Sequence, residues 1–216
     1  EVFQIADRIT VLRDGQSVST YSKEKIHSEK VIEDMVGRKI ENMYPKVRIP
    51  FGDEVLRVEN LTIPSSVPSK NLIEDASFSV RSGEILALGG LVGAGRSELV
   101  NGIFGCGPRT SGRVFIKGNE IPESTPGEAI KNKIGLLTED RKQSGFVGTM
   151  NIRENISLAS LDKINNTVFM NKRREIVLTQ KQFEKLRVKA PDLETNVLNL
   201  SGGNQQKVVL AKWLMA

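Results

Sequence analysis

Residues 89–99 read GGLVGAGRSEL. Within them Gly90, Gly95, Arg96 and Ser97 stand at the spacing G-x-x-x-x-G-K-[ST], with arginine where lysine is usual. The chemistry served by that spacing is the holding of a phosphate chain. Glycines, Gly93 among them, let backbone N–H groups turn towards phosphate oxygens, and a following helix presents its positive end to the same place. The hydroxyl of Ser97 is of the type that ligates a phosphate-bound Mg2+. Arg96 keeps the cation but brings a planar fork in place of a compact ammonium. A dinucleotide fingerprint is not met, because Glu98 stands three residues after Gly95. On its own the run leaves two readings open: a working phosphate loop, or a plain strand–turn–helix.

A second run, LSGGNQQK at residues 200–207, places Ser201, Gly202 and Gly203 at the start of an apolar helical pattern. A hydroxyl and the free N–H groups of a helix start suit an anion. The same residues equally suit a simple N-cap followed by a glycine turn.

Composition narrows the chemistry. The chain has 216 residues, 31 basic and 26 acidic, for a net charge of +5. The basic residues are dispersed and aromatics make up only 5%, so the stripe or stacking platform of a nucleic-acid module is not present and no nucleic-acid partner is expected. Cys106 is the single cysteine and His27 the single histidine. An intrachain disulfide and a Cys/His zinc site are thereby excluded, His27 in the polar run SKEKIHSEK reads as a solvated surface residue and not as the base of a Ser-His-Asp triad, and a reducing, cytoplasmic setting is expected. No run of about 18 apolar residues suggests a membrane span. The first residues carry neither Met nor a secretory signal, so the sequence is expected to begin inside a longer protein.

The elements that must position these residues follow from pattern. Residues 1–22 read as a short helix and a hairpin turning at Asp14 and Gly15. In residues 23–40, Ser28 is the expected N-cap, Ile32, Met35 and Val36 the apolar face, and Gly37 the stop. Residues 41–53, with two prolines and no periodicity, read as a linker. From residue 54, VLRVENLTI and ASFSVRSG read as strands, GEILALGG as an apolar strand entering the glycine loop, and residues 96–105 as the helix leaving it. GRVFIKGNEI reads as a strand with a turn, KIGLLTED as a short buried strand. Residues 151–200 are mostly helical, with Ile176, Phe183 and Leu186 expected to face a core alongside Trp213 further on.

Glycine loop, about a hundred intervening residues, then LSGG opening a helix: this order resembles the ATP-binding cassette (ABC) family. The longer words GEILALGGLVGAGRSEL, GLLTEDRKQSG, NIRENISLA and LSGGNQQKVVLAKWL look like the second cassette of the tandem-cassette ATPases that drive bacterial monosaccharide importers of the ribose, galactose and xylose type. Residues 1–22, through ADRITVLRDGQSVST, resemble the tail of a first cassette. Residues 23–53 resemble the link, and 54–216 the front part of the second cassette, ending before the Walker B strand.

The resemblance implies an α/β fold: a P-loop NTPase-like core with a mixed sheet, an antiparallel β subdomain, and an α-helical subdomain at about residues 140–203. It implies ATP and Mg2+ as cofactors. Gly90, Gly93, Gly95, Arg96 and Ser97 match the Walker A loop, and Glu139 stands where a metal-sensing glutamine is usual. Ser201, Gly202, Gly203 and Gln205 match the signature region, which meets the γ-phosphate of ATP held by the opposite cassette. Ser97 and Glu139 are the implied Mg2+ ligands. No residue of TIPSSVPSKNLIED matches the adenine-stacking aromatic. The catalytic Glu and switch His lie outside these residues, so no catalytic residue is assigned and the piece alone is expected not to hydrolyse ATP. In the family, further strands lie inside the central sheet, and without them IGLLT is expected to lose neighbours and expose apolar surface. The implied partners are the other cassette, a membrane permease and, through it, a periplasmic or lipid-anchored sugar-binding protein, at the cytoplasmic face of the membrane. Two alternatives stand beside this reading: a cassette that regulates without binding nucleotide, and a soluble ABC protein outside transport.

Overall fold

The computed structural model describes residues 2–37, 39, 47, 49–121, 125–165 and 170–216. The chain divides into two units, Glu1–Ile49 and Pro50–Ala216.

In the first unit, helix α1 (Val2–Ile5) precedes an antiparallel hairpin of β1 (Arg8–Arg13) and β2 (Gln16–Ser22). Asp14 and Gly15 both take positive φ, 51° and 79°, the backbone a tight two-residue hairpin turn demands. Helix α2 (Ser28–Val36) stops at Gly37 in the left-handed conformation, as its sequence predicts. Its start is one residue earlier than expected: His27, exposed, is the N-cap, and no side chain caps the turn. The apolar face is also rotated. Val31 is the buried residue, with Ile9 and Val11 of β1, while Met35 and Val36 are exposed. The reason is polar. Asp34 accepts hydrogen bonds from the Ser19 and Tyr21 hydroxyls at 2.7 and 2.6 Å and pairs with Lys30 at 3.0 Å, which turns that edge of α2 towards β2. The expected linker at 41–53 lies largely outside the described residues.

In the second unit, four strands form an antiparallel sheet in the order β4–β3–β5–β6: β3 (Glu54–Pro64), β4 (Asn71–Arg81), β5 (Ser111–Ile116) and β6 (Asn119–Glu120). Helix α3 (Arg96–Phe104) lays Leu99 and Ile103 on Val58, Leu61, Ile63 and Val114 of this sheet. A short helix, α4 (Pro126–Lys131), is capped by the Thr125 hydroxyl.

Beyond residue 150 the unit is helical: α5 (Ile152–Ser157), α6 (Leu161–Ile164), α7 (Lys172–Lys185) and α8 (Gly202–Met215). Ile152, Ile156, Ile164, Val197, Val208 and Ala211 are fully buried in its core. The expected face of α7 holds in part. Phe183 and Leu186 pack on that core, but Ile176 is 40% exposed. Glu175 and Thr179 take the buried face instead, because Glu175 receives bonds from the Arg153 guanidinium and the Ser157 hydroxyl. Arg153 in turn donates to Glu194 at 2.7 Å. These carboxylates raise the already high pKa of Arg153, the bond to Glu194 first.

Two expected strands are corrected. Residues 84–91 and 134–138 belong to no strand, helix or bridge among the described residues. A buried parallel strand exists by virtue of its neighbours' ladders, and the sheet described here is antiparallel throughout. The exposure expected of IGLLT is present in part: Leu137 faces solvent while Ile134 and Leu136 are half-buried, and Ile85 and Leu86 ahead of the glycine loop are exposed as well.

Two predictions follow from these charges. Asp34 is held from 3.8 down to about 2, chiefly by the Ser19 and Tyr21 hydroxyls and then by Lys30. A depressed carboxyl stabilises the fold above its unfolded value and loses that contribution as pH falls through its folded one. A 13C NMR titration is therefore expected to show the hairpin–α2 contact weakening between 3.8 and about 2, and Asp34→Asn to abolish that acid step. In the helical part, Glu175→Ala leaves one Arg153 terminal nitrogen and the Ser157 hydroxyl without their acceptor, while the pair with Glu194 remains, and is expected to cost about 1–3 kcal/mol in urea unfolding.

Candidate functional site

The glycine loop gains its shape from two left-handed residues, Gly93 at φ 84° and Gly95 at φ 83°. Gly95 is the N-cap of α3, buried against Ile73; an added Cβ would stand 2.9 Å from the Ile73 side chain. The Leu99 N–H donates to the Gly95 carbonyl at 2.8 Å, so the helix begins at once and its first amides open towards the loop. Ala94 N–H closes a turn on Leu91.

From there the helix places Arg96 and Ser97 in a cleft of about 840 Å3. The opposite wall is the extended segment ending in Leu136, Leu137, Thr138, Glu139 and Asp140, with Asn101, Cys106 and Gln206 also lining the space. The Ser97 hydroxyl donates to a Glu139 oxygen at 3.4 Å. Both are exposed, and so is Arg96, whose guanidinium makes no ion pair among the described residues. The cleft thus brings the Arg96 cation and the Ser97 hydroxyl, at a helix N-terminus, together with the carboxylates of Glu139 and Asp140. Oxygen donors of this kind suit Mg2+, which takes one or two protein oxygens and completes its shell from phosphates and water.

The wall carrying Glu139 is set by a close approach. Gly135 lies against Trp213 of α8, where an added Cβ would stand 2.9 Å from the Trp213 side chain. Phe104, at the end of α3, meets the same indole edge-to-face at 5.4 Å between ring centres. The two sides of the cleft therefore rest on one residue.

Ser201, Gly202 and Gly203 lie elsewhere. Gly202 and Gly203 border an adjoining hollow of about 510 Å3, together with Arg141, Lys207 and Leu210, and it shares Leu137 and Gln206 with the cleft. Ser201 is the N-cap of α8, yet its hydroxyl does not cap the helix; it accepts from the Asn204 amide at 3.0 Å. Gln205 is 4% exposed and its amide is fully engaged within the fold. It donates to the Val197 carbonyl and accepts from Arg141, each at 3.2 Å. The loop residues and Glu139 are brought together, then, while the signature residues form a second site facing the adjoining hollow.

Sequence reasoning passed over Arg141, Asp140 and Asn204. Asp140 accepts from the Lys142 and Gln143 amides and so shapes the single π-type turn Arg141–Gly145. The Asn204 side-chain Oδ1 accepts from the Lys189 backbone N–H at 2.9 Å and ties α8 to the segment that follows α7. The signal for Asp140 was its position before a glycine-terminated polar run; for Arg141 there was none.

With this geometry in place, the comparisons are specific. The ABC transporter family model matches residues 73–216, and the chain belongs to that family. It is 44% identical over its full length to the xylose import ATP-binding protein of Thermoanaerobacter pseudethanolicus. It is 42% identical, over 99% of its length, to the ribose import ATP-binding protein of Geobacillus kaustophilus. The chain spans 43% of the first relative's length and 42% of the second's. In structure it resembles MJ1267, an ATP-binding cassette of an ABC transporter, with a TM-score of 0.61 and 22% identity over 76% of this chain and 66% of that one. The fold is that of an ABC cassette. No helix among the described residues is long and apolar enough to cross a membrane.

Gly95→Ala combines a left-handed backbone with a clash on Ile73. It is expected to cost about 1–3 kcal/mol in thermal or urea unfolding, with the loss concentrated in the packing of α3 on the sheet.

Proposed function

We propose that this chain is part of the ATP-binding subunit of an ABC-type monosaccharide importer, and that its cleft holds the phosphates of Mg-ATP. The observation that carries the reading is the convergence of Arg96, Ser97 and Glu139 at the N-terminus of α3. Phosphoryl chemistry needs positioning and charge stabilisation more than covalent participation, and these three groups supply both. In this reading the loop amides and Arg96 bind the phosphate oxygens. Ser97 and Glu139 hold Mg2+, whose charge offsets the repulsion between Glu139 and the phosphates. When bound, the metal polarises the terminal phosphate.

The signature turn at Ser201, Gly202 and Gly203 serves a second nucleotide, one carried by an opposing cassette, which agrees with the adjoining hollow. Gln205 acts from behind, holding that turn through its buried amide. Residues 1–22 are read as the tail of a first cassette, 23–53 as the link, and 54–216 as the second cassette, with residues 140–203 meeting a membrane permease at the cytoplasmic face. The permease would receive sugar from a periplasmic or lipid-anchored binding protein. The names of the relatives support a pentose such as xylose or ribose as the class of cargo. These 216 residues by themselves are proposed to bind nucleotide without turning it over: of the two carboxylates lining the cleft, Glu139 is assigned to the metal and Asp140 accepts from the Lys142 and Gln143 amides.

Calorimetry with Mg-ATP on the chain and on Arg96→Ala tests the reading. Binding is expected, with about a tenfold or greater loss in the variant, the weight of a charge-assisted phosphate contact. A folded chain that takes up no nucleotide overturns it. Phosphate release by the purified chain would overturn the claim of binding without turnover.

A further inference from the structure

Arg141 stands at the N-terminus of α8, where a cation is disfavoured by the helix dipole. Its presence there calls for a positional reason, and three contacts supply one. The guanidinium donates to the Gln205 amide oxygen at 3.2 Å, in the first turns of α8. It fills the space beside Gly202, where an added Cβ would lie 2.6 Å from an Arg141 terminal nitrogen. Its own Cβ packs on Gly145, at the far end of the π-type turn, where an added Cβ would stand 3.1 Å away.

The other end of that turn is fastened as well. The Gly145 carbonyl accepts from the buried Lys212 ammonium at 2.7 Å, on the last turn of α8. Residues 140–145 are thus fixed to both ends of one helix. The first of them directly follows Glu139, which is bonded to Ser97.

We propose that Arg141 is a positioning residue for the signature turn, and that its guanidinium occupies the place a side chain at Gly202 would take, so that any larger residue there displaces it. The two glycines of the turn are then not equivalent. Gly202 is spoken for from within the chain, whereas a Cβ at Gly203 meets nothing within 4 Å, so Gly203 remains open to a ligand from outside. Through Arg141 the turn is tied to the segment carrying Glu139, giving a rigid link from the cleft to the second site. The functional weight of this link rests on the proposed function; the latch itself does not.

The test is amide exchange on the nucleotide-free chain. The reporters are the Asn204 and Gln205 amides, both of which donate to the Ser201 carbonyl. Arg141→Ala and Gly202→Ala are each expected to speed their exchange about tenfold, because an alanine at 202 displaces the guanidinium and breaks the same bond. The double variant is expected to exchange no faster than either single one, the signature of a shared interaction. Gly203→Ala is expected not to speed exchange, and the amides of α7 to stay unchanged in every variant, which separates local positioning from general loss of stability. Arg141→Met, which keeps the packing on Gly145 and removes the donors, gives the same acceleration and serves if the alanine variant does not fold.

Effects that multiply in the double variant, or a turn whose exchange ignores Arg141, overturn the proposal. Since no nucleotide is added, a failure of ATP binding in calorimetry leaves this result standing, and the reverse holds too.

Discussion

Trp213 is the contact on which the geometry of the cleft depends. One face of the unit brings Phe104 to its ring edge-to-face, fixing the end of α3 and hence the direction in which Arg96 and Ser97 point. Gly135 approaches the same side chain closely enough that only glycine fits, which fixes the extended segment leading to Glu139. Lys212, its neighbour, lies 4.7 Å from the ring centre and sends its ammonium to the Gly145 carbonyl. Burial lowers the pKa of that lysine, a cost tolerated because the charge is met by a carbonyl and an aromatic face. A single indole therefore sets the distance between a hydroxyl on a helix and a carboxylate on a loop.

Two kinds of polar chemistry are kept apart in the second unit. In the helical part, Arg153, Glu175, Ser157 and Glu194 satisfy one another under cover. Such a network contributes little net stability over an apolar core but is costly to break, and it dictates which face of α7 turns inward. In the cleft the reverse holds. Arg96 and Glu139 are exposed and loosely partnered, with donors and acceptors left available. An arginine in place of a lysine keeps the charge, and a glutamate opposite it restores a balance of sign that a phosphate and a metal would otherwise supply.

The unpaired apolar stretch ahead of the glycine loop fits this division. Ile85 and Leu86 carry the residue types of a buried strand, yet stand exposed. The loop they lead into is nevertheless shaped, because its form is local: two left-handed glycines and an immediate helix start suffice.

Much of this was legible beforehand. The hairpin at Asp14 and Gly15, the helix leaving the glycine loop, the antiparallel strands from residue 54 and the helix opened by LSGG all follow from turn chemistry and periodicity, which act over a few residues. The ABC family was legible too, from the glycine loop and LSGG taken together with the longer words around them. What pattern alone did not reveal depended on partners distant in the chain. His27 rather than Ser28 begins α2, and Val31 rather than Met35 is buried, because Asp34 answers to Ser19 and Tyr21. Ile176 gives way to Glu175 because Arg153 lies across from it. GEILALGG and KIGLLTED have the composition of strands but lack ladders, since pairing is a property of two segments and never of one. The sequence by itself determined the glycine spacing of the two turns and which stretches become helices. Only the tertiary structure decided that Ser97 meets Glu139, that Gln205 turns inward, and that Gly202 makes room for Arg141, because each is a contact between residues more than forty positions apart in the chain.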